Sequence, residues 1–368
     1  MQQNRVLPGR EFLIDRMRHP LPEDDLDLVL AQTRPFWQQY DGARVFVTGG
    51  TGFIGAWLLE AFQHAQRQLQ SSAQLVVLSR DPDRARATAP HLFNDASILL
   101  IAGDVCNFTP PGGQFDLCIH AAADVGDRTR AADHAAVFDS SVTGTRKVLD
   151  LALTRGTKRF LLTSSGAIYG VQPPTMEKIS ETYVGAPDPL QVSAAYGNGK
   201  RAAEWLCSEA ASRTELEVVS ARIFALIGPG LPLDGTFAAG NFIRDVLARK
   251  PVSVEGNGQP VRSYLYAADA CIWLLAMLQS GVSGQAYNLG SEASLSIAEL
   301  AWEVVRANGA SLDQPGIPTK ASTGALVHAP RYVPDTSKAR QTLGLQVHTP
   351  LDVALQKTLQ WNRLAMNA

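Results

Sequence analysis

Thr48-Gly-Gly-Thr-Gly-Phe-Ile-Gly55 spaces three glycines at equal intervals: Gly49, Gly52 and Gly55. The apolar run Arg44–Thr48 precedes them, and a helical pattern over Ala56–Gln68 follows. Glycine permits a tight turn between a strand and a helix, and it lets backbone N–H groups approach a pyrophosphate at the helix N-terminus. The stretch therefore predicts a dinucleotide-binding turn at the start of an α/β sheet.

Five more apolar runs have the length and composition of buried strands: Gln74–Ser79, Ser97–Ala102, Asp116–His120, Phe160–Ser164 and Glu217–Ile223. Their apolar residues are nearly continuous rather than alternating, which is typical of strands covered on both faces. Because helical patterns separate these runs, the sequence predicts an α/β fold built on a Rossmann doubly wound parallel sheet. A late run at Tyr287–Gly290 is expected to return to this sheet.

The chain is expected to divide into three parts. Residues 1–42 carry a short apolar helical stripe that Pro35 interrupts, and they are predicted to form an N-terminal helical arm. The Rossmann domain is expected at 43–225 plus 262–290, and a smaller discontinuous C-terminal substrate domain at 226–261 plus 291–368. Within the smaller domain, Val252–Pro260 reads as a β-like run that two glycines break.

Composition excludes several classes of function. A net charge of −2 gives no electrostatic footprint for nucleic acid or an anionic membrane, and no apolar run is long enough to span a bilayer. The four cysteines show no metal-site spacing, so we expect free thiols and no metal. The start of the chain lacks the apolar core of a signal peptide, and the expected location is the cytoplasm.

The residues after the second predicted strand bear on cofactor choice. An NAD site is expected to place a carboxylate there, but the sequence has Ser79 followed by Arg80. A hydroxyl with a guanidinium suits a 2′-phosphate, so NADP(H) is favoured over NAD(H). The alternative is that Arg80 is a solvated loop charge and that Asp81 contacts the ribose.

Other cofactor contacts are expected along the carboxyl edge of the sheet. Asp104, beside Val105, follows the third strand and is a candidate for the adenine. Small residues after the fourth strand leave room for the ribose and the pyrophosphate. The remaining candidates are Phe53, Ile54, Ala121, Ala122, Ala123, Tyr196, Lys200 and Ile223.

Tyr196-Gly-Asn-Gly-Lys200, downstream of Ser164-Ser165, predicts a proton-transfer site. A tyrosine phenol has an ordinary pKa near 10, and an ammonium one helical turn away stabilises its phenolate. Ser165 supplies a second hydroxyl that can hydrogen-bond the reacting oxygen. These three residues are the candidate catalytic group of a hydride-transfer enzyme.

The chain resembles the extended short-chain dehydrogenases/reductases of the NAD-dependent epimerase/dehydratase type, in their nucleotide-sugar branch. The resemblance covers about Ala43–Leu345. It rests on six motifs: TGGTGFIG (48–55), HAAA (120–123), SSGAIYG (164–170), YGNGK (196–200), ARIFALIGPG (221–230) and RSYLYAADA (262–270).

The resemblance implies roles for particular residues. Ser165, Tyr196 and Lys200 would be the catalytic trio, and the smaller domain would bind a nucleotide sugar. Asn241, Phe242 and Arg262 would face the nucleotide part of the substrate, and Arg331 could contact its diphosphate. The alternative for both arginines is a structural ion pair.

A homodimer is also expected by resemblance, through the helix that carries Tyr196 and the one after Val142. Val142, Val148, Leu149 and Leu151 offer apolar surface for it, although a monomer would use these side chains in its own core.

The sequence also departs from the family pattern. Gly166 and Ala167 stand where dehydratases and decarboxylases have acidic residues, and neither can move a proton. Ser141 and Ala225 stand where the family has asparagines. The departures favour an NADPH-dependent reductase acting at C4 of a nucleotide 4-keto-6-deoxy sugar. A 4-epimerase with tightly held NAD is the close alternative, and a non-catalytic dinucleotide-sensing scaffold is a remote one.

Overall fold

The computed structural model describes residues 18–123, 133–235, 237–309 and 329–367. Its strands are β1 (Arg44–Thr48), β2 (Gln74–Ser79), β3 (Ile98–Ala102), β4 (Leu117–His120), β5 (Arg159–Ser165), β6 (Glu217–Ile223), β7 (Leu226–Ile227), β8 (Val261–Ser263), β9 (Leu265–Tyr266), β10 (Gln285–Leu289), β11 (Ser294–Ser296) and β12 (Arg331–Tyr332). Its α-helices are α1 (Glu23–Gln32), α2 (Arg34–Gln39), α3 (Phe53–Leu69), α4 (Pro82–Thr88), α5 (Pro90–Phe93), α6 (His134–Thr154), α7 (Ala195–Arg213), α8 (Ala238–Leu247), α9 (Ala267–Ser280), α10 (Ile297–Ala307), α11 (Ser337–Leu343) and α12 (Leu351–Asn367).

Seven parallel strands form the central sheet, in the order β10-β6-β5-β4-β1-β2-β3. All six of the strands predicted from apolar runs are present in it, and the late run joins at β10 beside β6. The chain starts at β1, moves outward to β3 and returns to β4 on the other side of β1. This reversal between β1 and β4 is the topological switch point of a doubly wound sheet, where such folds bind ligands. The predicted fold class is confirmed.

Helices cover both faces of the sheet and explain its apolar strands. One face packs against α3 and α9, in a core that includes Trp57 and Trp273. The other face packs against α6 and α7. Val148, Leu149 and Leu151 are buried in this second core, so they do not form the exposed dimer surface that the sequence offered as one possibility.

Two small sheets lie outside the central one. A three-stranded sheet has the order β11-β8-β12, and a two-stranded sheet pairs β7 with β9. The prediction of a β-like run at Val252–Pro260 is wrong, because no strand forms there. Gly256 and Gly258 adopt φ values of +77° and +68°, and this left-handed backbone turns the chain instead of extending it.

The N-terminal arm, as far as it is described, packs on its own chain. Pro35 lies in the first turn of α2, so the interrupted stripe becomes two consecutive helices. Asp25 of α1 is buried, and its carboxylate accepts hydrogen bonds from Tyr266 Oη at 2.6 Å and from Lys357 Nζ at 2.7 Å. The arm is thereby tied to β9 and to α12.

None of the helices in the described ranges combines the length and the apolar character that crossing a membrane requires.

Replacing Asp25 with alanine tests whether its buried hydrogen bonds hold the N-terminal arm against the rest of the chain. The change leaves Lys357 and Tyr266 without this partner in the interior, and we expect the free energy of unfolding to fall by about 3 kcal/mol. Asp24 also pairs with Lys357 but is largely exposed, so Asp24→Ala should cost less than about 1 kcal/mol. Chemical denaturation of both variants measures the difference. Equal, small losses would show that the buried contact does not hold the arm.

Candidate active site

The glycine turn closes against the end of β4. Gly49 has φ +72°, and a carbon atom added to it would lie 2.4 Å from the backbone carbonyl of Ala121. A carbon added to Gly55 would lie 2.2 Å from the Gly49 oxygen. No side chain fits at either position, so the spacing of these glycines follows from backbone packing at the switch point.

Hydrogen bonds join the ends of β1 and β4. Ala121 N donates to Thr48 O at 3.1 Å, and Ala122 N donates to Thr48 Oγ1 at 3.1 Å. His120 contacts Thr48 Oγ1 through Nδ1 at 2.7 Å and Thr145 Oγ1 through Nε2 at 3.0 Å. Burial, with a smaller effect from Lys200, lowers the pKa of His120 to about 3, so this ring is neutral and structural. Sequence reasoning missed the contacts of His120 and Thr145, although His120 stands within one of the quoted motifs.

The first turn of α3 suits a pyrophosphate. No side chain caps this helix, and its first turn carries no acidic residue. Gly52 is exposed, and Phe53 and Ile54 are half-buried beside the turn. Unpaired N–H groups at a helix N-terminus, next to glycines that leave room for close approach, fit a dinucleotide phosphate.

The end of β2 carries the two residues that bear on cofactor choice. Ser79 is buried and its Oγ accepts a hydrogen bond from Asp81 N at 3.2 Å, while Arg80 is exposed. Asp81 caps α4 by accepting from Arg84 N at 2.9 Å. The Asp81 carboxylate is already engaged as this helix cap. It is therefore less able to accept a hydrogen bond from a ribose hydroxyl than an uncapped acidic side chain at the end of β2 would be.

The other cofactor candidates also lie at the carboxyl ends of strands. Asp104 is half-buried, and its Oδ1 accepts from Cys106 N at 2.9 Å. Val105 packs beside Gly144 of α6. Ile223 is buried at the end of β6, whereas Ala123 is exposed after β4.

Ser165, Tyr196 and Lys200 meet at the end of β5. Ser165 is the last residue of that strand, and the other two lie in the first turns of α7. Tyr196 lies near Ser165, whose hydroxyl acts to lower the pKa of the phenol. Lys200 Nζ lies 6.0 Å from the centre of the Tyr196 ring and donates to Thr163 O at 2.8 Å. Packing of α7 on β5 thus assembles the three side chains that the sequence singled out.

The pKa values of the pair suit proton transfer from a neutral phenol. Burial raises the pKa of Tyr196, and the nearby Ser165 hydroxyl opposes that rise. Burial lowers the pKa of Lys200 to about 8. At neutral pH the phenol therefore carries its proton, and the ammonium remains charged for the most part.

Tyr332 is a residue of this site that sequence reasoning missed. Its Oη lies beside Gly166, the residue after Ser165, and a carbon added to Gly166 would lie 2.6 Å from it. It lies in β12, which is far from β5 in the sequence, and it directly follows Arg331. The only signal was its position next to an arginine already singled out. No spacing rule links it to Ser165.

Two of the candidate substrate contacts already have structural partners. Asn241 donates through Nδ2 to Gly235 O at 3.1 Å, and its Oδ1 accepts from Arg244 at 3.1 Å. Phe242 is buried in the apolar core, so only its backbone is available to a ligand.

Arg262 and Arg331 lie on adjacent strands of the small sheet, where Tyr332 pairs with Arg262. Arg262 donates to the backbone oxygen of Val261 at 2.9 Å, and Arg331 donates to the backbone oxygen of Glu177 at 3.3 Å. Within the described ranges neither guanidinium forms an ion pair with a carboxylate, which leaves both charges suited to a phosphate.

Within the same ranges, no group of three or more histidine, cysteine or acidic side chains could hold a metal ion. The four cysteines are free, and three of them are buried: Cys118, Cys207 and Cys271.

Comparisons with known proteins agree with this fold. The model of the NAD dependent epimerase/dehydratase family matches residues 45–290. The chain is 29% identical to UDP-glucuronic acid decarboxylase 1 of Arabidopsis thaliana over 300 residues, which are 82% of this chain and 65% of that protein. The chain thus spans slightly less than two thirds of that relative's length.

Two solved structures share the fold. MoeE5, in complex with UDP-glucose and NAD, is 25% identical with a TM-score of 0.71 over 88% of this chain and 99% of its own. The UDP-glucose 4-epimerase of Thermotoga maritima, solved with UDP-glucose, is 19% identical with a TM-score of 0.71 over 88% of this chain and 99% of its own. The family model covers most of the central sheet, and it includes the whole glycine turn and the residues Ser165, Tyr196 and Lys200. This chain therefore belongs to the NAD dependent epimerase/dehydratase family.

Proposed function

We propose that the protein is an NADPH-dependent reductase acting on C4 of a nucleotide-diphosphate 4-keto-6-deoxy sugar. The observation that carries the proposal is the cluster of Ser165, Tyr196 and Lys200 beside a turn that carries no acidic or basic side chain at its first two positions. Gly166 and Ala167 begin that turn, and the space next to Gly166 is filled by Tyr332 and Phe224. The cluster can exchange one proton with a sugar oxygen, but no second acid or base stands at these two positions to eliminate water or to assist decarboxylation.

The side chains divide the work of carbonyl reduction. When bound, the reduced dinucleotide supplies the hydride to the carbonyl carbon. Tyr196 donates its proton to the carbonyl oxygen, which becomes the new hydroxyl group. Lys200 stabilises the phenolate that remains, and Ser165 hydrogen-bonds the same oxygen as charge develops on it. Solvent then returns a proton to Tyr196.

Substrate recognition is proposed to fall mainly to the small domain, at residues 226–261 plus 291–368, with 43–225 plus 262–290 holding the cofactor and contributing Arg262 at the domain boundary. Arg262 and Arg331 would hold the diphosphate, since each guanidinium lacks a carboxylate partner in the described part of the chain. A nucleotide sugar is supported by relatives whose names or complexes contain UDP-sugars. Asn241 and Phe242 would border the nucleotide.

NADP(H) is proposed as the preferred cofactor within this NAD-type family. Ser79 leaves no carboxylate at the end of β2, and Arg80 is exposed beside it. Asp81, the nearest acid, caps α4. A guanidinium without a competing carboxylate favours a 2′-phosphate over a free hydroxyl.

Replacing Tyr196 with phenylalanine tests the catalytic assignment. The variant lacks the proton donor, so kcat for NADPH oxidation with UDP-4-keto-6-deoxyglucose should fall by about 100-fold or more, while NADP⁺ affinity is kept. Tyr183→Phe removes a hydroxyl from a half-buried tyrosine outside the cluster and serves as the matched control. Loss of absorbance of NADPH reports the rate, and titration calorimetry reports the binding.

Two results would contradict the proposed mechanism or the proposed activity. Unchanged turnover in Tyr196→Phe would remove Tyr196 from the chemistry. Protein that releases NAD in equal amount on denaturation, and that interconverts UDP-glucose and UDP-galactose without consuming NADPH, would be a 4-epimerase instead.

Replacing Arg80 with alanine tests cofactor choice. If its guanidinium contacts the 2′-phosphate, the Kd for NADP⁺ should rise by about tenfold or more, and the Kd for NAD⁺ should change little. Arg86→Ala on α4 is the control, because Arg86 pairs with Asp83. Wild-type protein that binds NAD⁺ more tightly than NADP⁺ would refute the preference.

A homodimer through α6 and α7 is proposed as the assembly. Apolar side chains of these helices remain exposed, namely Phe138, Leu153 and Trp205. Light scattering should return twice the mass of one chain, and Trp205→Glu should shift the protein toward the monomer. Leu364→Glu, an exposed leucine on α12, is the control. A monomer mass for the wild-type protein at micromolar concentration would overturn this assembly.

A further inference from the structure

A cavity of about 480 Å³ opens on the face of the central sheet against which α7 packs. It lies beside α7, over β6 and β10, and β6 lines it with Val218, Ser220 and Arg222. Its walls, as far as the chain is described, include neither the glycine turn nor any of the three candidate catalytic residues. The cavity has the size of a small-molecule site and is separate from the cofactor crevice.

The charged groups on the floor of the cavity satisfy one another. Arg222 donates to the Glu204 carboxylate from Nη2 at 2.8 Å and from Nε at 3.1 Å, and to Tyr169 Oη at 2.8 Å. Tyr169 Oη in turn donates to Asn288 Oδ1 at 2.8 Å. These bonds give the cavity a defined floor and leave recognition of a ligand to other side chains.

Two cations on the walls have no carboxylate partner among the described residues. Arg201 of α7 donates to the backbone oxygen of Gly185 at 2.8 Å. Lys338 of α11 donates to Gln285 Oε1 and to the backbone oxygen of Ala286, both at 2.8 Å. Because these acceptors are neutral, both positive charges remain available to an anion.

The balance of charge in the cavity also favours an anion. Of the charged side chains that line it, three are cationic and two are anionic. Burial lowers the pKa of Lys338, Glu181 opposes that shift, and Arg222 adds to it. An anion bound beside the half-buried ammonium would stabilise its charged form.

Aromatic side chains border the opening of the cavity. The Trp205 side chain on α7 is 64% exposed, and Tyr183 is half-buried on the segment that precedes α7. Indole and phenol rings offer flat apolar faces on which another planar ring can stack. Together with Arg201 and Lys338, they fit a ligand that combines a planar ring with an anionic group.

We propose that this cavity is a second ligand site, which binds a small molecule that carries a planar ring and a phosphate or carboxylate group. Arg201 and Lys338 bind the anionic group, and the ring packs against Trp205 and Tyr183. The inference does not depend on the proposed reductase chemistry.

Fluorine NMR of protein labelled with fluorotryptophan tests the site directly. The chain has six tryptophans, and Trp205→Phe identifies the resonance of Trp205. The protein is first saturated with NADP⁺ and UDP, which fill the cofactor and substrate sites. Titration with phenyl phosphate should then shift the Trp205 resonance with a Kd of about 1 mM, as expected for so small a ligand, and leave the other resonances unmoved.

Related probes separate the ring from the charge. Phenol lacks the charge and inorganic phosphate lacks the ring, so each should bind at least about tenfold more weakly than phenyl phosphate. Benzoate carries a carboxylate in place of the phosphate. Tighter binding of phenyl phosphate would identify a phosphate ligand, and tighter binding of benzoate would identify a carboxylate ligand.

Substitutions of the two cations test their roles. Arg201→Ala and Lys338→Met should each raise the Kd for phenyl phosphate by at least about fivefold, whereas Arg201→Lys keeps the charge and should retain binding. Arg213→Ala is the matched control, because Arg213 lies on the same helix and pairs with Glu209 outside the cavity. The Tm of each variant checks that it is folded.

Three results would overturn the inference. One is a Trp205 resonance that does not move up to the solubility limit of phenyl phosphate, and another is equal affinity for phenol or for inorganic phosphate. Trp205 also borders the proposed dimer surface, so a second copy of the chain is the competing occupant. A resonance that moves on dilution of the protein, and not on addition of the probe, would assign the cavity to that copy. None of these results affects NADPH turnover, which tests the proposed function separately.

Discussion

The close contact of two backbones at the switch point is the constraint on which the rest of the structure depends. Gly49 lies so near to the backbone of Ala121 that no side chain fits between the ends of β1 and β4. Hydrogen bonds from Ala121 and Ala122 to Thr48 hold the two strand ends at this separation. The N-terminus of α3 follows this turn, and the carboxyl end of β5 lies on the same edge of the sheet, next to β4.

Burial gives the catalytic cluster its chemical character. Lys200 is enclosed between α7 and β5, and its pKa is lowered, while that of Tyr196 is raised. The opposite directions follow from one cause, because loss of water disfavours a charged ammonium and a charged phenolate alike. A neutral phenol next to a cation of reduced pKa suits donation of a proton during reduction.

Several features could be predicted from the sequence because they depend on local patterns. Continuous apolar runs identified every strand from β1 to β6, and the glycine spacing identified the turn before α3. Val252–Pro260 was predicted incorrectly, because its apolar residues pack around a turn at Gly256 and Gly258 and do not form an extended strand. The catalytic assignment of Ser165, Tyr196 and Lys200 stays a prediction, although the structure brings the three together.

The sequence by itself determined the doubly wound sheet, the position of the nucleotide turn and the three candidate catalytic residues, because each is encoded by spacing within one or two adjacent elements. Only the tertiary structure decided that Tyr332 Oη lies beside Gly166, that Gly166 has no room for a side chain, and that Asp25 is buried between Tyr266 and Lys357. These contacts join residues that are far apart in the chain, and no periodicity in a single sequence specifies which distant side chains a fold brings into contact.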